Sequence, residues 1–365
     1  MGLSSGIVGL PNCGKTTLFC AITGTEQERS NYMFSTTAPI KGVVDVPDPR
    51  LEKIRECIPS NKVIYAQMAV TDIPGLVSGS STGEGMGVGF LSAIKESDAL
   101  LHVVRCFEKE GVQHVSGKVD PAFDAEVVEM ELAAVDKETV ARNLERTQKK
   151  AKSGVDKDAA FQIQVFEKAK AQLETGQPLR MLEWNEAEKK ALQPLFLMTI
   201  KPVLFVANVG DDDLDGKGKH VVALREYAKK TKAHVMHLCC DLEAELLRMT
   251  PGDRQVFMSD MGLVESGLAR LIHSAFDLLG LQTYFTAGEK EIRAWVIHKG
   301  DTAVIGAGVI HTDFIKKFVR AQIYTFEDLM QHRTEAAIKA AGRMRLEGKE
   351  YVLRDGDVCN FLIAN

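Results

Sequence analysis

The chain has 365 residues, 45% of them hydrophobic, with 45 Lys plus Arg against 50 Asp plus Glu; this makes two or three globular domains and excludes a disordered or fibrous chain. The net charge of -5 gives no overall attraction to nucleic acid, so such a contact would need a local patch. Seven cysteines without a C-x-x-C pair fit reduced thiols and a cytoplasmic location, no export or lipid signal opens the chain, and the apolar stretch Pro194 to Asn208 is too short to span a membrane, so no membrane role is expected.

In chain order, Gly6 to Gly9 reads as a short buried strand and 15–24 as a helix opening on Lys15. Gly42 to Val46 and Ala66 to Thr71 read as a strand pair, followed by a Gly-rich loop from Gly75 to Gly89. A helix over Phe90 to Glu96 leads to a buried strand, Ala99 to Cys106; strands alternating with helices predict a mostly parallel α/β sheet covered on both faces. From Asp124 to Gly176 the texture becomes helical. Val128, Leu132 and Val135 mark one arm, Phe161, Val165, Ala169 and Leu173 mark a second, and Ser153-Gly154 is the hinge of an antiparallel hairpin. Strand signals resume at Pro202 to Asn208 and His234 to Leu238. After Gly280, segments at Glu291 to Ile297, Arg320 to Tyr324 and Val358 to Ile363, with a helix at Thr312 to Val319, predict a small α+β module.

The chemistry concentrates in Gly9-Leu10-Pro11-Asn12-Cys13-Gly14-Lys15-Thr16, a G-x-x-x-x-G-K-[ST] run between a predicted strand and helix. Its glycines let successive N–H groups, from Asn12 and Cys13 through Gly14 to Thr17, face an anionic phosphate. Lys15 supplies charge to the β and γ phosphates and the Thr16 hydroxyl a ligand for Mg²⁺. Asp72-Ile73-Pro74-Gly75 follows an apolar strand in the manner of a D-x-x-G switch, with Asp72 in the Mg²⁺ shell, directly or through water, and the Gly75 N–H on the γ-phosphate. Thr36 stands between the two elements, where a switch threonine senses Mg²⁺ and the γ-phosphate. Leu76 occupies the place of a water-orienting Gln, and an apolar side chain cannot do that work. His114, in a loop containing Gly111 and Gly117, is the candidate catalytic group that takes over.

These motifs, together with Gly83-Glu84-Gly85, His102 to Phe107, His114-Val115-x-Gly117-x-x-Asp120-Pro121, Leu281 to Thr286, Val309 to Phe314 and Leu346 to Lys349, resemble the YchF or Obg-like ATPase family over essentially the whole chain. The resemblance implies a Ras-like P-loop NTPase domain (1–123 and 196–280), an inserted helical coiled-coil hairpin (124–195) and a C-terminal TGS domain of β-grasp type (281–365). It also implies a monomer that associates with ribosomes, as the large subunit or a 70S-type particle, and prefers ATP.

The base element, Asn208-Val209-Gly210-Asp211, departs from the Asn-Lys-x-Asp of GTPases and also from the Glu with which the family more often ends it. Asn208, Val209 and Asp211, with Cys240 from the later loop, are the expected base contacts, ATP being preferred and GTP the alternative. Asp211 to Gly216 imitates an EF-hand start, but Val222 fills the position of its bidentate Glu, so an acidic turn is expected. His234, His237, Cys239 and Cys240 lack metal-site spacing. Arg142, Arg146, Lys149, Lys150 and Lys152 share a helical face near the hairpin tip; they and Lys316, Lys317 and Arg320 offer rRNA contacts or simply solvated faces. Two functions stand: a nucleotide-dependent switch on the ribosome, and a metabolic ATP hydrolase with appended interaction modules.

Overall fold

The computed structural model describes residues 4–25, 38–74, 88–109, 111–152 and 158–364. In chain order its elements are β1 (Ser4–Val8), α1 (Lys15–Thr23), β2 (Ile40–Val46), α2 (Pro49–Cys57), β3 (Val63–Ile64), β4 (Ala66–Asp72), α3 (Val88–Glu96), β5 (Ala99–Arg105), α4 (Pro121–Lys152), α5 (Ala159–Glu174), α6 (Glu186–Leu192), β6 (Val203–Asn208) and α7 (Lys219–Lys230). There follow β7 (His234–Leu238), α8 (Cys240–Arg248), α9 (Pro251–Asp260), α10 (Gly267–Leu278), β8 (Leu281–Ala287), β9 (Ile292–His298), α11 (Ala303–Ile310), α12 (Asp313–Lys317), β10 (Phe318–Thr325), α13 (Phe326–His332), α14 (Glu335–Ala340), β11 (Arg345–Glu347) and β12 (Asp357–Ile363). The chain divides into two compact units, one made of Ala69–Leu271 and the chain up to Gly42, the other of Val43–Met68 and the chain from Ile272 onward.

In the first unit β1 pairs in parallel with β4 and β5, β5 with β6, and β6 with β7, within the six-stranded order β2-β4-β1-β5-β6-β7. β5 and β6 are buried at every position, as their continuous apolar runs require in a sheet covered on both faces. Ala125, Val128 and Leu132 on the first turns of α4 pack into the same core as Val8, Leu100 and Phe205. Farther along, Val140 and Leu144 pack with Val165, Phe166, Ala169 and Leu173 of α5, the seam read from the spacing. The hinge at Ser153-Gly154 lies outside the described residues. Phe161 is off the seam and 39% exposed.

A buried polar cluster fastens the root of this hairpin. Glu129 of α4 accepts from the Arg180 guanidinium and, at 2.9 Å, from the Tyr227 hydroxyl of α7. Arg180 Nε also donates to the Thr231 carbonyl at 3.0 Å. Two turns on, Asp136 accepts the N–H groups of Met198 and Thr199 at 3.0 and 2.7 Å. Burial pushes both carboxyls upward, and it pushes His102, packed at a tilt against Phe205, down to about 3, so that ring is neutral. Just before β6, the Lys201 ammonium donates to the carbonyls of Ile94, Lys95 and Ser97, closing the C-terminal end of α3.

The second unit holds a mixed sheet in the order β11-β10-β12-β8-β9-β3. Two antiparallel pairs, β8 with β9 and β10 with β12, are joined through a parallel contact of β12 with β8, and α11 packs on one face: the expected β-grasp. The helix predicted at Thr312 to Val319 is shortened to α12, because Phe318 and Val319 already belong to β10, and the longer helix α11 lies before it. The sequence of α11, Ala-Val-Ile-Gly-Ala-Gly-Val-Ile, is apolar all round and has no helical period. It is helical because the sheet needs a thin helix there: a Cβ on Gly306 would run into Leu353, and the Gly306 carbonyl accepts from the Tyr284 hydroxyl at 2.8 Å.

Candidate functional site

The P-loop joins β1 to α1. Gly9 and Gly14 have φ of 151° and 105°, values that side chains with a Cβ rarely adopt, and a Cβ on Gly14 would strike the Asn208 amide. Because Gly14 caps α1 without a side chain, the first-turn N–H groups of Lys15, Thr16 and Thr17 point out of the helix end. Lys15 is 7% exposed and its Nζ donates to the Leu10 carbonyl at 2.8 Å, so the ammonium is held over the loop. Burial pushes the Cys13 thiol upward, which leaves it inert.

Asp72 ends β4 in register with Ile7 of β1, so the sheet itself delivers its carboxylate to the loop. Its Oδ2 accepts from Thr16 Oγ1 at 3.0 Å, while Oδ1 is buried and has no hydrogen-bond partner among the described residues. Desolvation raises this carboxyl above the usual range, against the pull of Lys15 and Thr16. A buried carboxylate oxygen without a donor, beside a hydroxyl at a phosphate loop, fits a divalent cation; the donor set is oxygen only, which suits Mg²⁺. Thr36, Gly75 and Leu76 lie outside the described residues.

Asn208 closes the loop from the opposite side. It is 4% exposed; its Nδ2 donates to the Cys13 carbonyl at 2.9 Å and its Oδ1 accepts the Cys240 N–H at 3.0 Å. The residue expected to read a purine is thus first a tie between the P-loop and the start of α8, with one amide hydrogen left over. Val209 turns its side chain into the core at 2% exposure, which removes it from the expected place against the base; its N–H donates to the Leu238 carbonyl. Asp211 is exposed at the start of a 3₁₀ turn, Asp211–Asp213. In that acidic turn Asp213 Oδ1 accepts the N–H groups of Lys217 and Gly218, so the carboxylate ties down the turn that leads into α7. Among the described residues no group of three or more His, Cys, Asp or Glu is arranged to hold a metal.

His114 lies in a loop fastened beside the P-loop. Asn12 Nδ2 donates to the Gln113 carbonyl at 3.3 Å, and Arg105 Nη1 donates to the Val112 carbonyl at 3.1 Å. Its ring, however, is turned toward α4: Nε2 meets Asp124 Oδ2 at 2.8 Å and Nδ1 accepts the Ser116 N–H at 3.2 Å. Asp124 was missed in the sequence, where only its helical position was visible. The basic residues at the hairpin tip are exposed, and Lys149 is paired with Glu145 at 2.6 Å.

A parallel sheet whose first strand feeds a phosphate loop, with an Asp from the adjacent strand and an Asn from the far side, defines a Ras-like P-loop nucleoside-triphosphatase. The family model described as 50S ribosome-binding GTPase matches residues 4–160, and the C-terminal model of YchF GTPases, described as a protein of unknown function, matches residues 281–364. The chain belongs to the YchF family. It is 47% identical to the ribosome-binding ATPase YchF of Escherichia coli O157:H7 over 362 residues, 99% of both chains. It is 46% identical to the protein of the same name from Bacillus subtilis strain 168 over 363 residues, again 99% of both. The solved structure of the Schizosaccharomyces pombe YchF GTPase is 35% identical, covers 99% of this chain and 98% of its own, and superposes with a TM-score of 0.86.

Proposed function

We propose that the chain is a ribosome-associated, Mg²⁺-dependent ATPase that hydrolyses slowly and works as a nucleotide-controlled switch in translation or stress response. The observation that carries the reading is the convergence of Lys15, Thr16, Asp72 and Asn208 on one phosphate loop. The bacterial relatives, ribosome-binding ATPases by name, support ATP and the ribosome. The N–H groups from Asn12 to Thr17, with Gly75, cradle the phosphates, and Lys15 leaves the Leu10 carbonyl to neutralise them. Thr16, Thr36 and Asp72, the last through water, would hold Mg²⁺, which when bound draws charge from the phosphate oxygens. The spare Asn208 hydrogen, Asp211 and the backbone near Val209 and Cys240 form the base subsite. His114 swings from Asp124 to orient the attacking water in place of Leu76.

The same reading assigns the domains as the nucleotide domain, the inserted hairpin and the TGS module, with the chain a cytoplasmic monomer and the large subunit or a 70S-type particle as its dock. The basic faces at 142–152 and 316–320 supply rRNA contacts, as phosphate neutralisation requires. A GTP-specific switch is the second reading, favoured by Asp211, whose carboxylate suits the guanine N1–H and N2–H donors. Calorimetric titration with MgATP and MgGTP separates the two: ATP is expected to bind more tightly, and equal or tighter GTP binding overturns the ATP assignment.

A further inference from the structure

We propose that Asp124 is a positioning residue: a latch at the root of the helical hairpin that holds His114 away from the nucleotide and thereby limits hydrolysis. The inference rests on the reading of His114 as the water-orienting group. A backbone N–H can only donate, so the Ser116 N–H at 3.2 Å makes Nδ1 an acceptor, and in the neutral ring the proton sits on Nε2 and is donated to Asp124 Oδ2 at 2.8 Å. Both nitrogens are therefore in use. The His114 and Asp124 side chains are 8% and 5% exposed, so a water cannot simply take the place of either partner.

The backbone of the loop is already tied to Asn12 of the P-loop through the Gln113 carbonyl. Only the ring has to turn. What resists the turn is the carboxylate, whose other oxygen, Oδ1, is buried and has no hydrogen-bond partner among the described residues. When His114 leaves, Asp124 loses its direct hydrogen-bond partner, with Arg105 nearby as the favourable charge and Asp120 and Cys13 as the other titratable groups around it. Leaving a buried charge without its bond is costly, so the closed arrangement is the resting one and turnover is slow.

The latch is mounted on the hairpin. Asp124 is in the first turn of α4, its N–H donating to the Asp120 carbonyl at 2.9 Å, and the same helix runs 32 residues out to the basic tip. A partner that grips the hairpin and shifts the root of α4 carries the carboxylate with it. Hydrolysis is then coupled to docking through a single hydrogen bond, and no rearrangement of the P-loop is required.

The test uses the full chain, with single-turnover hydrolysis of MgATP and equilibrium binding of a non-hydrolysable ATP analogue for wild type, Asp124→Asn, His114→Ala and the double variant. Asn keeps an acceptor for the Nε2 proton but removes the charge, so Asp124→Asn is expected to hydrolyse about tenfold faster with unchanged analogue affinity. In the His114→Ala background the same substitution should change nothing, an outcome that a merely structural role for Asp124 would not give. If His114→Ala slows hydrolysis but Asp124→Asn is as slow as wild type or slower, the latch is overturned and the role of His114 stands. Acceleration by Asp124→Asn without His114 also overturns it. If His114→Ala hydrolyses at the wild-type rate, the reading beneath the latch fails instead. Thermal unfolding of each variant identifies misfolding, and Asp124→Glu, which keeps the charge, should then remain slow.

Discussion

Replacing Asn208 by Ala isolates the tie between the P-loop and α8. The substitution removes two buried hydrogen bonds, to the Cys13 carbonyl at 2.9 Å and from the Cys240 N–H at 3.0 Å, and leaves both backbone groups without that partner. At about 1.5 kcal/mol for each orphaned group, the loss is about 3 kcal/mol. For a domain of this size that lowers the unfolding temperature by roughly 6–12 °C. The measurement is calorimetric unfolding of wild type and Asn208→Ala without nucleotide, followed by ATP titration, in which the loosened loop should bind more weakly. Asn208→Asp is a stringent companion: it keeps an acceptor for Cys240 but sets a carboxylate oxygen against the Cys13 carbonyl, so it should do no better than Ala. An Ala variant that melts within about 2 °C of wild type and binds ATP equally well would refute the claim that this amide holds the site together.

Lys15→Ala should abolish high-affinity triphosphate binding, read by titration, because a buried charge-assisted phosphate contact goes with the ammonium. Arg180→Met should destabilise the first unit by about 3–5 kcal/mol in denaturant unfolding, since it leaves Glu129, 5% exposed at its side chain, without its cation. Burial holds Lys201 at about 8, below its ordinary value near 10.5. Between those two pH values the unfolded chain binds more protons, so stability rises with pH relative to Lys201→Met; below about 8 both forms are protonated and the difference is flat. Denaturant midpoints of the two proteins from pH 7 to 10 check the direction.

What the sequence made legible is what short spacing encodes. The strand, Gly-rich loop and helix from Ser4 to Thr23 follow from local glycine geometry and helix-end chemistry, and the seam of the hairpin follows from its period of about four. α11 was illegible for the converse reason: its exposed positions are apolar too, Ile305 and Val309 being 45% and 44% exposed, so the buried face of Ala303, Gly306 and Ala307 stands out as no stripe. α2 carries a readable cap in Asp48-Pro49, the Asp48 side chain accepting the Arg50 N–H, but its short span lies between stronger strand signals. The double bond of Asn208 and the clasp of His114 on Asp124 join residues that only the tertiary fold brings together. The residue types were visible, and the direction in which each side chain turns was not.

The strand order has a consequence for the birth of the molecule. β1 is made first yet sits inside the sheet, between β4 and β5, and its phosphate loop is closed by a residue 195 positions after Cys13. At about 5–20 residues per second, synthesis reaches Asn208 on the order of 10–40 s after the loop itself, with the whole hairpin made in between. Until the chain through Cys240 has emerged, the growing polypeptide carries the phosphate loop without the amide bridge that clamps it, so ATP can reward only a nearly finished nucleotide domain.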